Sequence, residues 1–454
     1  MTSSHIFRQY DIRGVWGEDL TGEIVYAIGR AMAFRLYERF DGKKGLKVTV
    51  ARDVRLSSPA MLSAISQAFM ESGIDVIDLG ACPTPVQYFS LFRMPVDGGA
   101  MITASHNPAQ FNGLKLSIGT ETIYGSEIQR IREYIAQEKA VNGSGALVKH
   151  NILPEYMQYM KDQFGPLDGV KAVLDCGNGA ASLVAPELFM SMGIETIPLY
   201  CTPDGTFPNH HPDPVLPENI KDLISTVLKE KADVGIGYDG DGDRIGVVDG
   251  DGEIIWGDRL LSLFARQVLR EHPKAAVIGE VKCSQSLYDD IEARGGVPMM
   301  WKTGHSLIKS KMKETGALLA GEMSGHIFFK DRYFGYDDAV YASLRLVEAL
   351  RRNGPPYSVK RLLNGLPRTS VTPEIRVDCP DDRKFAVVEQ IKEELGREHP
   401  IIDIDGVRVR YDRGWGLVRA SNTQPALVLR FEALDDDFLE KMRQDVEGKL
   451  KRLL

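Results

Sequence analysis

The chain has 454 residues, enough for about three domains of ordinary size and far beyond one small stapled fold. Hydrophobic residues make up 43% and charged residues 26%, a globular composition that excludes a disordered chain. Lys and Arg total 55 against 63 Asp and Glu, so the net charge of −8 argues against a nucleic-acid binder but leaves room for a local basic pocket.

The first two thirds alternate short apolar runs with helical periods. Leu46–Ala51 reads as a strand, and Ser58-Pro59 opens a helix with Ser as cap and Pro in the first turn. Gly73 stops that helix before the next strand, Ile74–Leu79. The same helix–glycine–strand pattern returns around Gly193 and again around Gly296, after expected strands at Val170–Asp175 and Ala275–Val281. Three such echoes in order point to three related, mostly parallel α/β units. The last ninety or so residues differ. Strand Glu374–Val377, a helix near Asp381–Leu395, strands Ile401–Ile404, Val407–Tyr411, Gly416–Val418 and Ala426–Phe431, and a final helix from Asp436 read as α+β, with Asp405-Gly406 as a hairpin turn. The expected domains are 1–149, 150–252, 253–366 and 367–454.

No apolar run approaches the length of a membrane span, and the first residues lack the apolar stretch of a signal peptide. Five cysteines stand singly at 82, 176, 201, 283 and 379 without a C-x-x-C pair. That usage fits a reducing cytoplasm with buried free thiols, and makes neither cysteine chemistry nor a structural zinc expected.

Four segments carry the chemistry. Thr103-Ala-Ser-His-Asn-Pro108 follows the apolar run Gly99–Ile102. Alone it reads as a turn started by Asn-Pro; the alternative is an exposed serine nucleophile or phosphorylation site. Asp239-Gly-Asp-Gly-Asp-Arg244 follows the strand-like Ala232–Tyr238. Its three alternating carboxylates can converge on one hard cation, and oxygen-only ligands suit Mg²⁺. The nearby Asp249-Gly-Asp-Gly252 lies between alternating strand residues and reads as a plain turn. Gly321-Glu-Met-Ser-Gly-His326 offers Glu322, Ser324 and His326 to sugar hydroxyls, against a glycine-rich turn as the alternative. Arg419-Ala-Ser-Asn-Thr-Gln-Pro425 can clamp a phosphate through a guanidinium and nearby hydroxyls, or be a polar hairpin loop. Lys282 and His305 sit just past expected strands, where open α/β sheets bind ligands.

Together, in this order, the four segments resemble those of the α-D-phosphohexomutase family. Met323 and the Ser421-Asn422-Thr423 core are similar to its phosphomannomutase/phosphoglucomutase branch, as are Tyr10-Asp-Ile-Arg-Gly14 and residues 302–309. The resemblance implies four domains around a central cleft, three α/β and a C-terminal α+β. It implies Ser105 as the phosphoserine and Asp239, Asp241 and Asp243 as Mg²⁺ ligands, with a phosphoserine oxygen beside them. Lys115 and His326 would be acid/base groups, and Arg13 would support the transferring phosphate. Tyr10, Arg244, Lys282, His305, Glu322 and Ser324 would contact substrate. Arg419, Ser421, Asn422 and Thr423 would hold the phosphate that is not reacting. The implied reaction interconverts hexose 1- and 6-phosphates of mannose or glucose through a hexose 1,6-bisphosphate, which also serves as activator. Ala104 where close relatives carry Gly, Gln424 where Thr is expected, and Ser-Gln-Ser after Cys283 depart from the pattern and bear on sugar preference.

A monomer in the cytoplasm is expected, with hexose phosphates as small-molecule partners and no nucleic acid or membrane. The last loop must receive either phosphate, so a mobile tail is expected. The rival readings are a phosphoglucosamine mutase, an Mg²⁺-dependent sugar phosphatase and a non-enzymatic sugar-phosphate binder.

Overall fold

A computed structural model describes residues 4–421 and 425–454. The chain forms two compact units, one running to Leu260 and including Ser324–Leu362, the other comprising Leu261–Met323 and Leu363–Leu454. No helix among the described residues is long and apolar enough to cross a membrane.

In the first unit, one sheet contains β1 (Ile12–Val15), β2 (Lys47–Arg52), β3 (Asp75–Ala81), β4 (Gly98–Ile102), β5 (Phe111–Ile118), β6 (Glu121–Thr122) and β7 (Leu147–Lys149), in the order β1-β5-β4-β2-β3-β7. β4, β2, β3 and β7 run parallel, and their central members are buried apolar runs, as expected of strands covered on both faces. β5 returns antiparallel beside β4, so the intervening segment 103–110 leaves the carboxyl end of the parallel strands. A second sheet holds β8 (Lys171–Asp175), β9 (Glu195–Leu199), β10 (Val234–Tyr238), β11 (Ile245–Asp249) and β12 (Ile254–Ile255), in the order β12-β11-β10-β8-β9. β10 and β11 pair antiparallel with Tyr238 opposite Ile245, which makes residues 239–244 the connection between them. The Asp249–Gly252 turn joins β11 to β12 as expected.

Two details differ from the sequence expectation. The N-cap of helix Ser58–Glu71 is Ser57, without a side-chain capping bond, and Ser58 lies in the first turn with its hydroxyl donating to Asp53 Oδ1 at 2.7 Å. In the third echo the left-handed stop is Gly295, at φ +77°, one residue before Gly296. Gly73 and Gly193 end their helices as read, at φ +79° and +83°.

Helix Ala339–Asn353 starts on Asp338, which accepts from Tyr341 N at 2.8 Å and from the hydroxyls of Tyr156 and Tyr333. Burial still pushes this carboxyl up to about 6. The folded chain therefore holds the proton more tightly than the unfolded chain does. The stability this contributes is full below about pH 4 and is lost as pH rises through 6. Asp338→Asn keeps the cap oxygen and carries no charge. It is expected to gain on the wild type by on the order of 3 kcal/mol between pH 4 and 7, read as the pH-dependent difference in melting midpoint. A constant difference across that range would refute it.

In the second unit, β13 (Ala276–Glu280) runs parallel to both β14 (Val297–Trp301) and β15 (Leu319–Gly321). The C-terminal sheet is antiparallel and follows the α+β reading. β16 (Ile327–Phe329) precedes it in the chain and belongs to the first unit. The sheet itself comprises β17 (Ser370–Val371), β18 (Ile375–Asp378), β19 (Ile401–Ile402), β20 (Val407–Tyr411), β21 (Gly414–Ala420) and β22 (Ala426–Ala433). Helices Lys384–Gly396 and Asp436–Lys451 contribute Val387, Ile391, Leu395 and Val446 to its core. Buried Arg408 joins this sheet to the end of β13 by donating to Val281 O at 2.7 Å and Cys283 O at 2.8 Å while stacked on Trp415.

Candidate active site

The serine segment is held from beneath by Arg55, a fully buried guanidinium paired with Asp53. Arg55 donates to the carbonyls of Ser105, Asn107, Pro108 and Phe111 at 2.6–3.0 Å. Four backbone acceptors on one rigid fork fix the loop's path. Thr103 Oγ1 accepts from Ser105 N at 2.8 Å. Ser105 sits at φ +50°, a left-handed conformation that costs a non-glycine residue on the order of 1 kcal/mol. The strain turns its Oγ toward the acidic segment, where it donates to Asp239 Oδ2 at 2.7 Å. Arg13, from β1, reaches the same loop through Asn107 Oδ1 at 2.8 Å and is steadied by Asp11 at 2.7 Å.

The three carboxylates of residues 239, 241 and 243 are fully buried and bring ligand atoms within 4.8 Å of one another. Asp239 Oδ1 accepts from the backbone N–H groups of Gly242, Asp243 and Arg244, which curls the loop. Lys115 Nζ, from β5, donates to Asp241 Oδ2 at 3.0 Å and to Asp243 Oδ2. Thr84 Oγ1 adds a 2.6 Å bond to Asp241. Burial pushes Asp241 up, but Lys115 and Thr84 outweigh it and hold the carboxyl below the usual range. Burial likewise pulls Lys115 down, and Asp241 and Asp243 overcome that to hold it well above its usual value. At Asp239, burial and then its two acidic neighbours outweigh the charge of Arg244 and raise it well above a normal carboxyl.

Among the described residues, Asp241 Oδ1 and Asp243 Oδ1 accept no hydrogen bond. Buried carboxylate oxygens rarely go unsatisfied, and a hard cation would satisfy both. The donors are all oxygens, so the set fits Mg²⁺ and disfavours zinc.

His326 lies on the other side of this cluster. Its Nε2 accepts from Arg244 Nε at 3.0 Å, and its Nδ1 is 2.9 Å from Asp337 Oδ2 and 3.6 Å from Asp243 Oδ1. That arrangement assigns the ring proton to Nδ1. His106 Nδ1 stands 3.1 Å from Ser105 Oγ, so the two sequence neighbours do face each other. Burial, followed by Arg244 and Arg13, depresses His106 well below its usual value and keeps it neutral. Tyr10 lies half-buried in the bend before β1, and Ser324 half-buried in the turn before Gly325.

In the second unit a polar chain links the other expected residues. Glu322 Oε1 accepts from Gly304 N at 2.6 Å, beside His305 at the start of helix His305–Thr315. Asp405 Oδ2 then accepts from both Thr303 N and Arg419 Nε. Lys282 Nζ donates to Glu374 at 3.2 Å. Lys282 holds Glu374 down to about 2 against the opposing effect of burial. Ser421 lies at the end of β21, where its carbonyl accepts from Lys384 Nζ at 2.6 Å. Asn422 and Thr423 lie outside the described residues.

Sequence reasoning missed Arg55, Asp11, Thr84 and Asp337. Asp53-Val-Arg55 follows β2 at the carboxyl edge of the sheet, a position that could have flagged it. Thr84 and Asp337 carry no local signal; only packing brings them to the triad and to His326.

A serine hydroxyl set against a cation-ready carboxylate cluster is the equipment of a phosphoryl-transfer enzyme. Four domain models of one family cover the chain: phosphoglucomutase/phosphomannomutase alpha/beta/alpha domain I at residues 4–142, domain II at 154–252, domain III at 256–369 and the C-terminal domain at 374–449. A phosphomannomutase/phosphoglucomutase of Pseudomonas aeruginosa is 47% identical over 447 residues, 98% of this chain and 95% of that one. A phosphoglucomutase of Neisseria meningitidis is 42% identical over 98% of this chain and 96% of its own. The crystal structure of a phosphoglucomutase/phosphomannomutase family protein from Burkholderia thailandensis superposes with a TM-score of 0.93 at 41% identity, covering 100% of this chain and 98% of that one. The chain belongs to the phosphoglucomutase/phosphomannomutase family. It is a hexose-phosphate mutase, an enzyme that moves a phosphate within a sugar.

Proposed function

We propose that the enzyme interconverts the 1- and 6-phosphates of mannose and glucose, with Ser105 as phosphoryl carrier and the hexose 1,6-bisphosphate as intermediate. The observation that carries this is Ser105 Oγ, held in a strained backbone conformation 2.7 Å from a buried carboxylate triad with two unsatisfied oxygens. The phosphorylated serine gives its phosphoryl group to the free sugar hydroxyl. The P–O bond to Ser105 breaks, a P–O bond to the sugar forms, and the hydroxyl proton leaves to a nearby base. The bisphosphate then presents its other phosphate, which returns to Ser105.

Mg²⁺ held by Asp239, Asp241 and Asp243 would neutralise charge on the transferring group when bound. Arg13 and Arg244 supply fixed positive charge to the same group, and Lys115 balances the acids around it. His326 is the proton acceptor or donor for the sugar hydroxyl; its Nε2 becomes available when Arg244 turns to phosphate. When Ser105 takes phosphate back, its own proton faces Asp239 Oδ2. Glu322, Ser324, His305 and Tyr10 are assigned to the sugar, and Lys282, Arg419, Ser421, Asn422 and Thr423 to the phosphate that is not reacting. Among the described residues the five cysteines form no disulfide, which supports a reducing cytoplasm as the workplace, and a monomer is the working form.

Arg419→Lys keeps the charge but loses the planar fork. It is expected to raise KM for the sugar phosphate about 10- to 100-fold with a smaller change in kcat. An unchanged KM would remove Arg419 from phosphate binding.

The substrate is tested by comparing kcat/KM for mannose 1-phosphate, glucose 1-phosphate and glucosamine 1-phosphate with phosphorylated, Mg²⁺-loaded protein. Mannose and glucose are expected within about tenfold of each other and glucosamine well below both. A glucosamine preference would make the enzyme a phosphoglucosamine mutase. Steady release of inorganic phosphate with no 6-phosphate formed would make it a phosphatase.

A further inference from the structure

The second sheet brings together two cysteines that the mutase chemistry does not use. Cys176 follows β8 and Cys201 lies two residues beyond β9, and these strands pair in parallel with Asp175 opposite Leu199. Cys176 N donates to Leu199 O at 3.1 Å, which continues the ladder past the strand ends. The two thiols meet there: Cys201 Sγ lies 2.9 Å from Cys176 Sγ, and both are free. Neighbouring strands run about 4.8 Å apart, within reach of the Cα separation a disulfide spans, and an S–S bond is about 2.0 Å. Closure therefore needs the sulfurs to approach by less than about an ångström.

Access to the two differs. Cys176 is fully buried and Cys201 is half-buried. Burial, reinforced by the bond from Cys201, pushes the Cys176 thiol well up, so it is the slower of the two to meet an oxidant. Cys82, Cys283 and Cys379 are buried as well.

The pair lies directly behind the acidic loop. From Cys176 the chain turns through Gly177 and Asn178, at φ +50° and +58°, to Gly179. A Cβ on Gly179 would stand 2.8 Å from Gly240 O, and Ala180 N donates to that same oxygen at 2.9 Å. Asp175, one residue before Cys176, accepts from Gly177 N and lies 3.1 Å from His210 Nε2. Gly240 N in turn donates to Pro212 O at 3.2 Å. Gly179 and Ala180, three and four residues beyond Cys176, thus pack directly against Gly240 in the loop that carries Asp239 and Asp241.

We propose that Cys176 and Cys201 form a reversible oxidation site, a dithiol that hydrogen peroxide closes to a disulfide, and that closure weakens cation binding at the acidic loop. The Cys201 thiolate attacks one peroxide oxygen, forming a sulfenic acid and releasing hydroxide, which takes up the thiol proton as water. Cys176 sulfur then attacks the sulfenic sulfur, and its proton leaves with the hydroxyl as a second water. Two thiols are oxidised and one peroxide is reduced. A dithiol reductant reverses the step by exchange.

The coupling to the loop rests on the metal reading of the triad, whereas disulfide formation does not, so two measurements separate them. The full-length protein is treated with hydrogen peroxide, blocked with an alkylating reagent and mapped by peptide mass spectrometry without reduction. A linked peptide containing residues 176 and 201, lost with dithiothreitol, is expected, with Cys82, Cys283 and Cys379 alkylated only after unfolding. Cys201→Ser, at the more accessible position, should abolish the link and leave Mg²⁺ binding as in the reduced wild type. If no link forms, or if the peroxide stops at a stable sulfinic acid on Cys201, the site is refuted. The second measurement titrates Mg²⁺ into reduced and oxidised protein by calorimetry. Oxidation is expected to weaken Mg²⁺ about tenfold, reversibly. A disulfide that forms and leaves Mg²⁺ affinity unchanged overturns the coupling, and failure of the reduced protein to bind Mg²⁺ overturns the metal reading instead.

Discussion

Ser105→Ala lowers mutase turnover by at least about 10⁴-fold and leaves sugar-phosphate affinity within about threefold of the wild type. No other hydroxyl is so placed among the described residues: Ser105 Oγ alone donates to Asp239 Oδ2, and Thr84 and Thr103 spend theirs on Asp241. Alanine inherits the φ of +50°, so the loss could be blamed on strain. Ser105→Gly removes that objection, since glycine adopts the conformation freely. Both variants are expected to be equally inactive and folded, because Arg55 holds the loop by its carbonyls and not by the serine hydroxyl. Turnover above about 1% in either variant would place the phosphoryl carrier elsewhere.

Lys115→Met is expected to destabilise the metal-free protein by about 3–5 kcal/mol, the cost of leaving buried charge uncompensated. Lys115 is 2% exposed and pairs with Asp241 and Asp243, whose side chains are fully buried. Methionine fills the volume of the lysine stem and supplies no charge. Mg²⁺ should restore much of the loss, because a cation bound only by the folded state stabilises it by mass action. The check is the melting midpoint of wild type and variant with excess Mg²⁺ and with EDTA. The variant should depend on Mg²⁺ far more than the wild type does. Equal Mg²⁺ dependence would mean that Lys115 does not balance the triad. Because Lys115 is held strongly protonated, the same variant should also lose about 10²-fold or more in kcat through missing charge stabilisation.

Much of the fold was legible. Strands β8, β10, β13 and β20 lie within a residue or two of their apolar runs. Buried parallel strands are continuous in sequence, and glycine stops are conformationally demanding, so both leave local traces. The helix start at Ser57 was not legible to the residue, because neither neighbouring serine marks it by a side-chain capping bond. The two compact units were not legible either. Each is assembled from two separated segments of the chain, and contiguous reading cannot see that.

At the site, the acidic triad stands out because its chemistry is concentrated in a few adjacent residues, whereas the serine segment alone reads as a turn and gains its role only from the order of all four segments. The alternating spacing of Asp239, Asp241 and Asp243 favours a cation site over an Asp-Gly turn. What Arg55, Thr84 and Asp337 do could not be read, since each acts on a partner 50 or more residues distant or across a turn of the fold. Nor could the state of the charges: Asp241 is held low and Asp239 high, although they are near neighbours in one loop, because Lys115 and Thr84 outweigh burial at Asp241 while burial and the neighbouring acids outweigh Arg244 at Asp239. The cysteines make the same point in reverse. Singly spaced at 176 and 201, they read as inert; the parallel pairing of β8 and β9 sets their sulfurs in contact. Residue types and local spacing decide which chemistry a chain can hold. Burial and long-range pairing decide which groups are charged, which are strained and which can react, because those depend on distances and dielectric that chain order does not encode.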